Sequence, residues 1–121
     1  EAVVHTFDFS GIHTFISECY RVLKPGGIMF LTTPNAHSLT NLVRILECKT
    51  PVFFRPHVRE YGATETANML KQFNFNIKSL ETVNVWHELN EEKRNWIRNF
   101  VISCNGNANL MENDTIIIAN K

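Results

Sequence analysis

RVLKPGGIMFLTTPN, residues 21–35, places a helix end, a glycine pair, an apolar run and a polar exit in immediate succession. Lys24 suits the negative end of a helix, Pro25 cannot prolong it, and Gly26 or Gly27 can take the positive φ with which a chain reverses. Residues 28–33 then run without alternation, as a strand covered on both faces does in a sheet flanked by helices. Pro34-Asn35 breaks that strand.

The flanking sequence extends the same grammar. Residues 2–5 read as the tail of a buried strand, and Asp8 to Gly11 as a turn that offers Ser10 as a helix cap. Apolar residues at 12, 15, 16, 19, 22 and 23 then mark one helical face. Beyond the strand exit, Leu39, Leu42, Val43 and Leu46 give a second helix its stripe, with Asn35 or Ser38 as cap. Residues 48–63, CKTPVFFRPHVREYGA, show no period and read as a long excursion, a kind of loop that often carries function. Thr64 is placed to cap a third helix with Ala67, Leu70 and Phe73 inward, and Asn74 to close it in the left-handed conformation. FNIKSLETVNV (75–85) reads as a strand, Leu89, Trp96, Ile97, Phe100 and Val101 as a helix face, SCNGNAN (103–109) as a loop, and TIIIAN (115–120) as a last buried strand. Such alternation predicts an α/β fold, with helices on a mostly parallel sheet and ligands beyond the carboxyl ends of the strands. His5 and Asn35 both occupy such ends.

Composition narrows the functional classes. A chain of 121 residues suits one domain spanning 1–121, with no internal repeat. Twelve Lys plus Arg balance twelve Asp plus Glu, which leaves no global field for nucleic acid or an anionic membrane. Three cysteines without CxxC spacing argue against a disulfide framework or a zinc site. The five histidines, at 5, 13, 37, 57 and 87, lack close ligand spacing, so no metal is expected. No run reaches membrane-span length and no signal peptide is visible, so a soluble, cytoplasmic chain is expected. The Asn113-Asp114-Thr115 sequon is read as chance. The opening EAVVHTFDF is apolar from its first residues and has the look of a chain that begins inside a fold.

ECYRVLKPGGIMFLTTPN (18–35) resembles the segment of class I S-adenosylmethionine-dependent methyltransferases, of the type 11 and type 23 kind, in which a helix enters Leu-Lys-Pro-Gly-Gly and then the fifth strand of a seven-stranded sheet. HVREYGATETANMLKQFNFNI (57–77) is similar to the family's His-Val-Arg-Glu-Tyr, helix, Gly-Phe and sixth strand, with Asn74 where the family usually has Gly. AVVHT (2–6) resembles the family's Glu-His-Thr at the end of strand four, with Val4 in place of Glu. The resemblance implies a partial Rossmann-like sheet, equivalent to strands four to seven with the last strand antiparallel: the family's C-terminal half. Members hold the methyl donor in a glycine-rich loop after strand one. The glycines here, at 11, 26, 27, 62 and 106, include no GxG pair, so the chain alone is expected to bind no S-adenosylmethionine.

In the complete family the protein chiefly positions the nucleophile, excludes water and, where the acceptor needs it, supplies a base. The resemblance puts His5 near donor and acceptor, as a catalytic and partial cofactor-binding residue. It puts Asn35 and His37 against the acceptor, and His57, Arg59, Glu60 and Tyr61 in an acceptor wall or lid. Each has a plainer alternative: a hydrogen-bonded structural His5, helix capping by Asn35, a surface Arg59–Glu60 pair. Trp86 and Trp96 flank a charged segment that either covers an acceptor or forms an ordinary amphipathic helix.

Two functions remain open: a methyltransferase fragment with acceptor-side elements, inactive alone, or a non-catalytic binding or assembly module derived from that fold. For the fragment, the resemblance implies a small-molecule or sugar acceptor. Leaving large apolar side chains of a half-sheet uncovered would cost about 1.5 to 3 kcal/mol each, a serious share of a domain's roughly 5 to 15 kcal/mol. A homodimer through the exposed sheet edge is therefore expected.

Overall fold

The computed structural model describes residues 9–51 and 57–121. The strand expected at residues 2–5, with His5, lies outside them, as does the middle of the 48–63 excursion. Four helices, α1 (Phe9–Val22), α2 (Leu39–Leu46), α3 (Ala63–Gln72) and α4 (Glu91–Ser103), accompany three strands, β1 (Ile28–Pro34), β2 (Asn76–Val83) and β3 (Asp114–Asn120). The sheet order is β1-β3-β2.

The expected mostly parallel sheet needs correction. β1 and β2 run the same way, but β3 lies between them and pairs antiparallel with both, from Ile28↔Asn120 to Pro34↔Asp114 and from Asn76↔Asn120 to Val83↔Asp114. The expected antiparallel last strand is thus the central one. Isoleucines 116–118 suit that place, because a central strand can bury apolar residues on both faces.

One face of this sheet carries Leu31, Ile117 and Ala119 into a core with Ile12 and Ile16 of α1 and Ala67, Met69 and Leu70 of α3. Its other face is barer. Ile28 and Phe30 are 69% and 65% exposed, so β1 alternates where covering on both faces was expected. Alternation was hidden because both sets of β1 side chains are largely apolar, and period alone cannot reveal a missing layer.

The turn at Pro25-Gly26 is built as expected, with Gly26 at φ 75. Gly26 N–H donates to Lys121 O, and Lys121 N–H returns a bond to Gly27 O, which pins the turn to the end of β3. The cation that meets the C-terminal carbonyls of α1 is Lys121, whose Nζ donates to Tyr20 O and Leu23 O at 2.7 and 2.9 Å. Asn74 closes α3 at φ 66, as expected.

Several local assignments change. Helix α1 is already formed at Phe9, which puts Ser10 inside it and not at its cap. Ser38, and not Asn35, caps α2, with Oγ accepting from Asn41 N–H. Gly62 replaces Thr64 as the N-cap of α3. A second, smaller core joins Leu39 and Val43 of α2 to Ile97 and Val101 of α4, with Ala108 of a short 3-10 turn. Leu46, Trp96 and Phe100, expected in that stripe, are exposed, and Trp96 stacks on Phe100 on the outer face of α4. No helix among the described residues is long and apolar enough to cross a membrane.

Candidate functional site

Strand β1 ends at Pro34, and the next residue organises everything around the exit. Asn35 is 1% exposed. Its Nδ2 donates to Leu110 O and Glu112 O at 3.0 and 2.9 Å, while its Oδ1 accepts from the N–H groups of His37 and Ala63 at 3.1 and 3.2 Å. Those four bonds use the hydrogen-bonding capacity of the amide, leaving none for an acceptor. Asn35 therefore fixes the wall of the site and does not offer it a ligand.

Ala36 N–H donates to Tyr61 O, and Asn35 forms a parallel bridge with Tyr61. This bridge brings HVREY, distant in sequence, alongside the strand exit. Strand alternation then sorts its side chains. Tyr61 joins the main core on the helix-covered face, and burial pushes its phenol pKa up, partly opposed by the Arg59 charge. Arg59 lies over the Tyr61 ring at 4.5 Å and pairs with Glu65, so the expected Arg59–Glu60 pair is replaced by two others. Glu60 takes His57: Nδ1 and Oε1 are 2.7 Å apart, with the two side chains only 7% and 2% exposed. The coupling across β1 and α3 is completed by His37, whose ring rests on Gly62. A Cβ at Gly62 would stand 2.1 Å from His37 Nδ1.

Two residues join this end of the sheet that sequence reasoning did not assign to it. Asp114, the first residue of β3, lies between Pro34 and Val83. Burial raises the Asp114 carboxyl above the usual carboxylate range; Trp86 opposes this, and the Glu60 charge adds to it. The missed signal is positional, since Asp114 opens a strand that pairs with the end of β1. Asn113, beside it, is buried and donates to Asn84 Oδ1, so the sequon is closed to a glycan in the folded chain. Of the other expected site residues, His37 is exposed at the exit and His5 lies outside the described residues. Among the described residues no three His, Cys, Asp or Glu side chains converge as a metal would require.

No protein-family model matches the chain. Over 74 residues, 60% of the chain, it is 35% identical to a probable S-adenosylmethionine-dependent methyltransferase from Mycolicibacterium smegmatis, of which the match spans 25%. The crystal structure of a SAM-dependent methyltransferase from Archaeoglobus fulgidus superposes over 98% of this chain and 55% of that one, with TM-score 0.60 and 18% identity. The chain thus spans a quarter of one relative and about half of the other. It shares its fold with a solved methyltransferase and a 74-residue stretch of sequence similarity with a probable one.

The described residues do not fit S-adenosylmethionine. Their one glycine in the left-handed region, Gly26, is bound into the α1–β1 turn. The glycine at a helix N-terminus, Gly62, is covered by the His37 ring and offers no cradle to a nucleoside.

Proposed function

We propose that these 121 residues supply the acceptor side of an S-adenosylmethionine-dependent methyltransferase and do not transfer a methyl group by themselves. One observation carries this reading: a methyltransferase-like fold whose described glycines offer no donor cradle, while the HVREY segment is bridged to the exit of β1. In this proposal β1, β2 and β3 correspond to the family's fifth, sixth and seventh strands, and residues 2–5 to the fourth. The acceptor is a small molecule or a sugar. His37 and the His57–Glu60 pair lie on its side of the sheet, and His5 takes its place at the neighbouring strand exit.

Calorimetry tests the reading directly. Titration of the chain with S-adenosylmethionine should give no heat beyond dilution, and micromolar binding would overturn the reading.

A second reading, an assembly module, draws on the exposed side chains of Ile28 and Phe30 along one face of β1. We propose that a second copy of the chain covers it. Every copy presents the same row, and a net charge of zero sets up no repulsion between copies.

A further inference from the structure

The segment SCNGNAN contains the chain's only asparagine followed directly by glycine, Asn105-Gly106. The fold sets that pair at the end of α4. Cys104 is the C-cap of the helix, and Asn105 follows it in the left-handed conformation at φ 60. Asn105 N–H donates to Ile102 O at 3.0 Å and Gly106 N–H to Val101 O at 2.8 Å, the paired bonds of a Schellman closure. Gly106 is also pressed against the helix, since a Cβ there would stand 2.5 Å from Val101 Cγ1. Packing therefore selects glycine at 106, and asparagine is among the few other residues that accept the left-handed conformation at 105.

A pair chosen for its shape is also chemically reactive. Glycine leaves its amide nitrogen uncrowded, so the nitrogen can attack the side-chain carbonyl of the asparagine before it. The bond from Gly106 N to Asn105 Cγ forms, the Cγ–Nδ2 bond breaks, and Nδ2 leaves as ammonia with the proton of the Gly106 N–H. Water then opens the cyclic imide at either of its two carbonyls, which gives aspartate or an isoaspartate whose main chain runs through Cβ. Nothing is oxidised or reduced, and water is the only co-reactant. Both residues are exposed, so water reaches them. What restrains the reaction is the closure, because Gly106 N must give up its proton to attack while that N–H is committed to Val101 O.

We propose that Asn105-Gly106 is a self-modifying site, gated by the Schellman closure of α4, whose product unfastens the end of that helix. The site is independent of the acceptor-side reading. Aspartate at 105 sets a negative charge against the negative end of α4, whose last turn holds no basic residue. Isoaspartate adds the same charge and one main-chain atom between Val101 O and Gly106 N, so the two bonds no longer close together. The loss falls on the smaller core, in which Val101 and Ala108, on either side of the pair, pack with Leu39, Val43 and Ile97. The main core shares none of these residues.

Peptide-mapping mass spectrometry of the full chain tests the gate, with samples aged in mildly alkaline buffer and in guanidinium chloride above the unfolding midpoint. The mass gain of amide-to-acid conversion should map to Asn105 and accumulate at least about tenfold faster in denaturant, where the closure is gone. Val101→Ala, which thins the packing on Gly106, should speed conversion in buffer and leave the rate in denaturant unchanged. Asn105→Gly keeps the left-handed position and has no amide to lose, so its urea midpoint should survive ageing while that of the wild-type chain falls. Equal wild-type rates in buffer and denaturant, or a folded Val101→Ala chain that converts at the wild-type rate in buffer, would overturn the gate. No conversion at Asn105 in denaturant would overturn the site itself, and a converted chain with an unchanged midpoint would overturn the unfastening. Should Val101→Ala fail to fold by circular dichroism, the wild-type comparison decides the gate alone.

Discussion

Asn35 Oδ1 accepts a hydrogen bond from Ala63 N–H at 3.2 Å, across 28 residues of chain. Gly62, the N-cap of α3, has no side chain with which to satisfy the helix, so a residue of another element does it. Glu65 Oε2 answers the N–H of Gly62 itself at 3.2 Å. The same Asn35 amide reaches Leu110 O and Glu112 O, so one side chain ties the β1 exit, the start of α3 and the approach to β3 together.

Asn35→Asp is nearly isosteric but exchanges the Nδ2 donor for an acceptor. It leaves the carbonyls of Leu110 and Glu112 facing a carboxylate in a buried site. The expected cost is about 2 to 4 kcal/mol, read as a lower urea midpoint with unchanged slope. A loss below about 0.5 kcal/mol would show that the knot is dispensable.

Gly62 needs its missing Cβ for packing, not for conformation, because its φ of −70 suits any residue. Gly62→Ala drives a methyl into the His37 ring and should destabilise by about 1 to 3 kcal/mol. His37→Ala removes the obstacle. The double variant should recover most of the loss, and a purely additive double-mutant cycle would contradict the contact.

The sequence disclosed local structure better than it disclosed neighbours. Pro25-Gly26 and Asn74 were legible because left-handed turns have their own residue chemistry. β3 was legible as a strand, but its place between β1 and β2 was not, since residues 116–118 carry no mark of which strand they will pair with. Asn35 was legible as a polar strand exit, yet its four partners come from residues 37, 63, 110 and 112, a convergence only the fold creates. Asp114 and the separation of Arg59 from Glu60 escaped for the same reason. Trp96 and Phe100 misled because helical spacing predicts a face without saying whether anything packs on it.

Two carboxylates should move stability in opposite directions with pH. The Glu47 pKa is lowered from 4.5 to about 2, chiefly by its hydrogen bonds with Lys93 and Lys49. Its contribution is present above 4.5 and is lost as pH falls toward about 2, so wild type minus Glu47→Gln should shrink across that range. Asp114 is shifted upward from 3.8, by burial first and the Glu60 charge after it, with Trp86 opposing. The folded chain therefore holds the Asp114 proton more tightly than the unfolded chain, and stability is lost as pH rises above that value. Asp114→Asn should be increasingly more stable than wild type on the alkaline side. Denaturation midpoints for the three chains through the acid range decide it, and a common sign for both variants would contradict the assignment.

The bare side of β1 gives the last test. Phe30 is 65% exposed and faces Ile118 across the sheet, and Ile28 continues the row. An apolar row along a strand that pairs on one side only, among the described residues apart from the Asn35–Tyr61 bridge, invites a second strand or sheet face. If a second copy covers it, Phe30→Glu places a carboxylate in the contact of both copies at once, because a two-fold interface repeats every substitution. Light scattering should then report the mass of a dimer for the wild-type chain and of a monomer for Phe30→Glu. The variant's circular dichroism should match that of the parent, since the side chain contributes little to its own core. A wild-type chain that scatters as a monomer would remove the second copy as the occupant of this face. A Phe30→Glu chain that stays dimeric would move the interface elsewhere, with the stacked Trp96 and Phe100 on α4 the next surface to substitute.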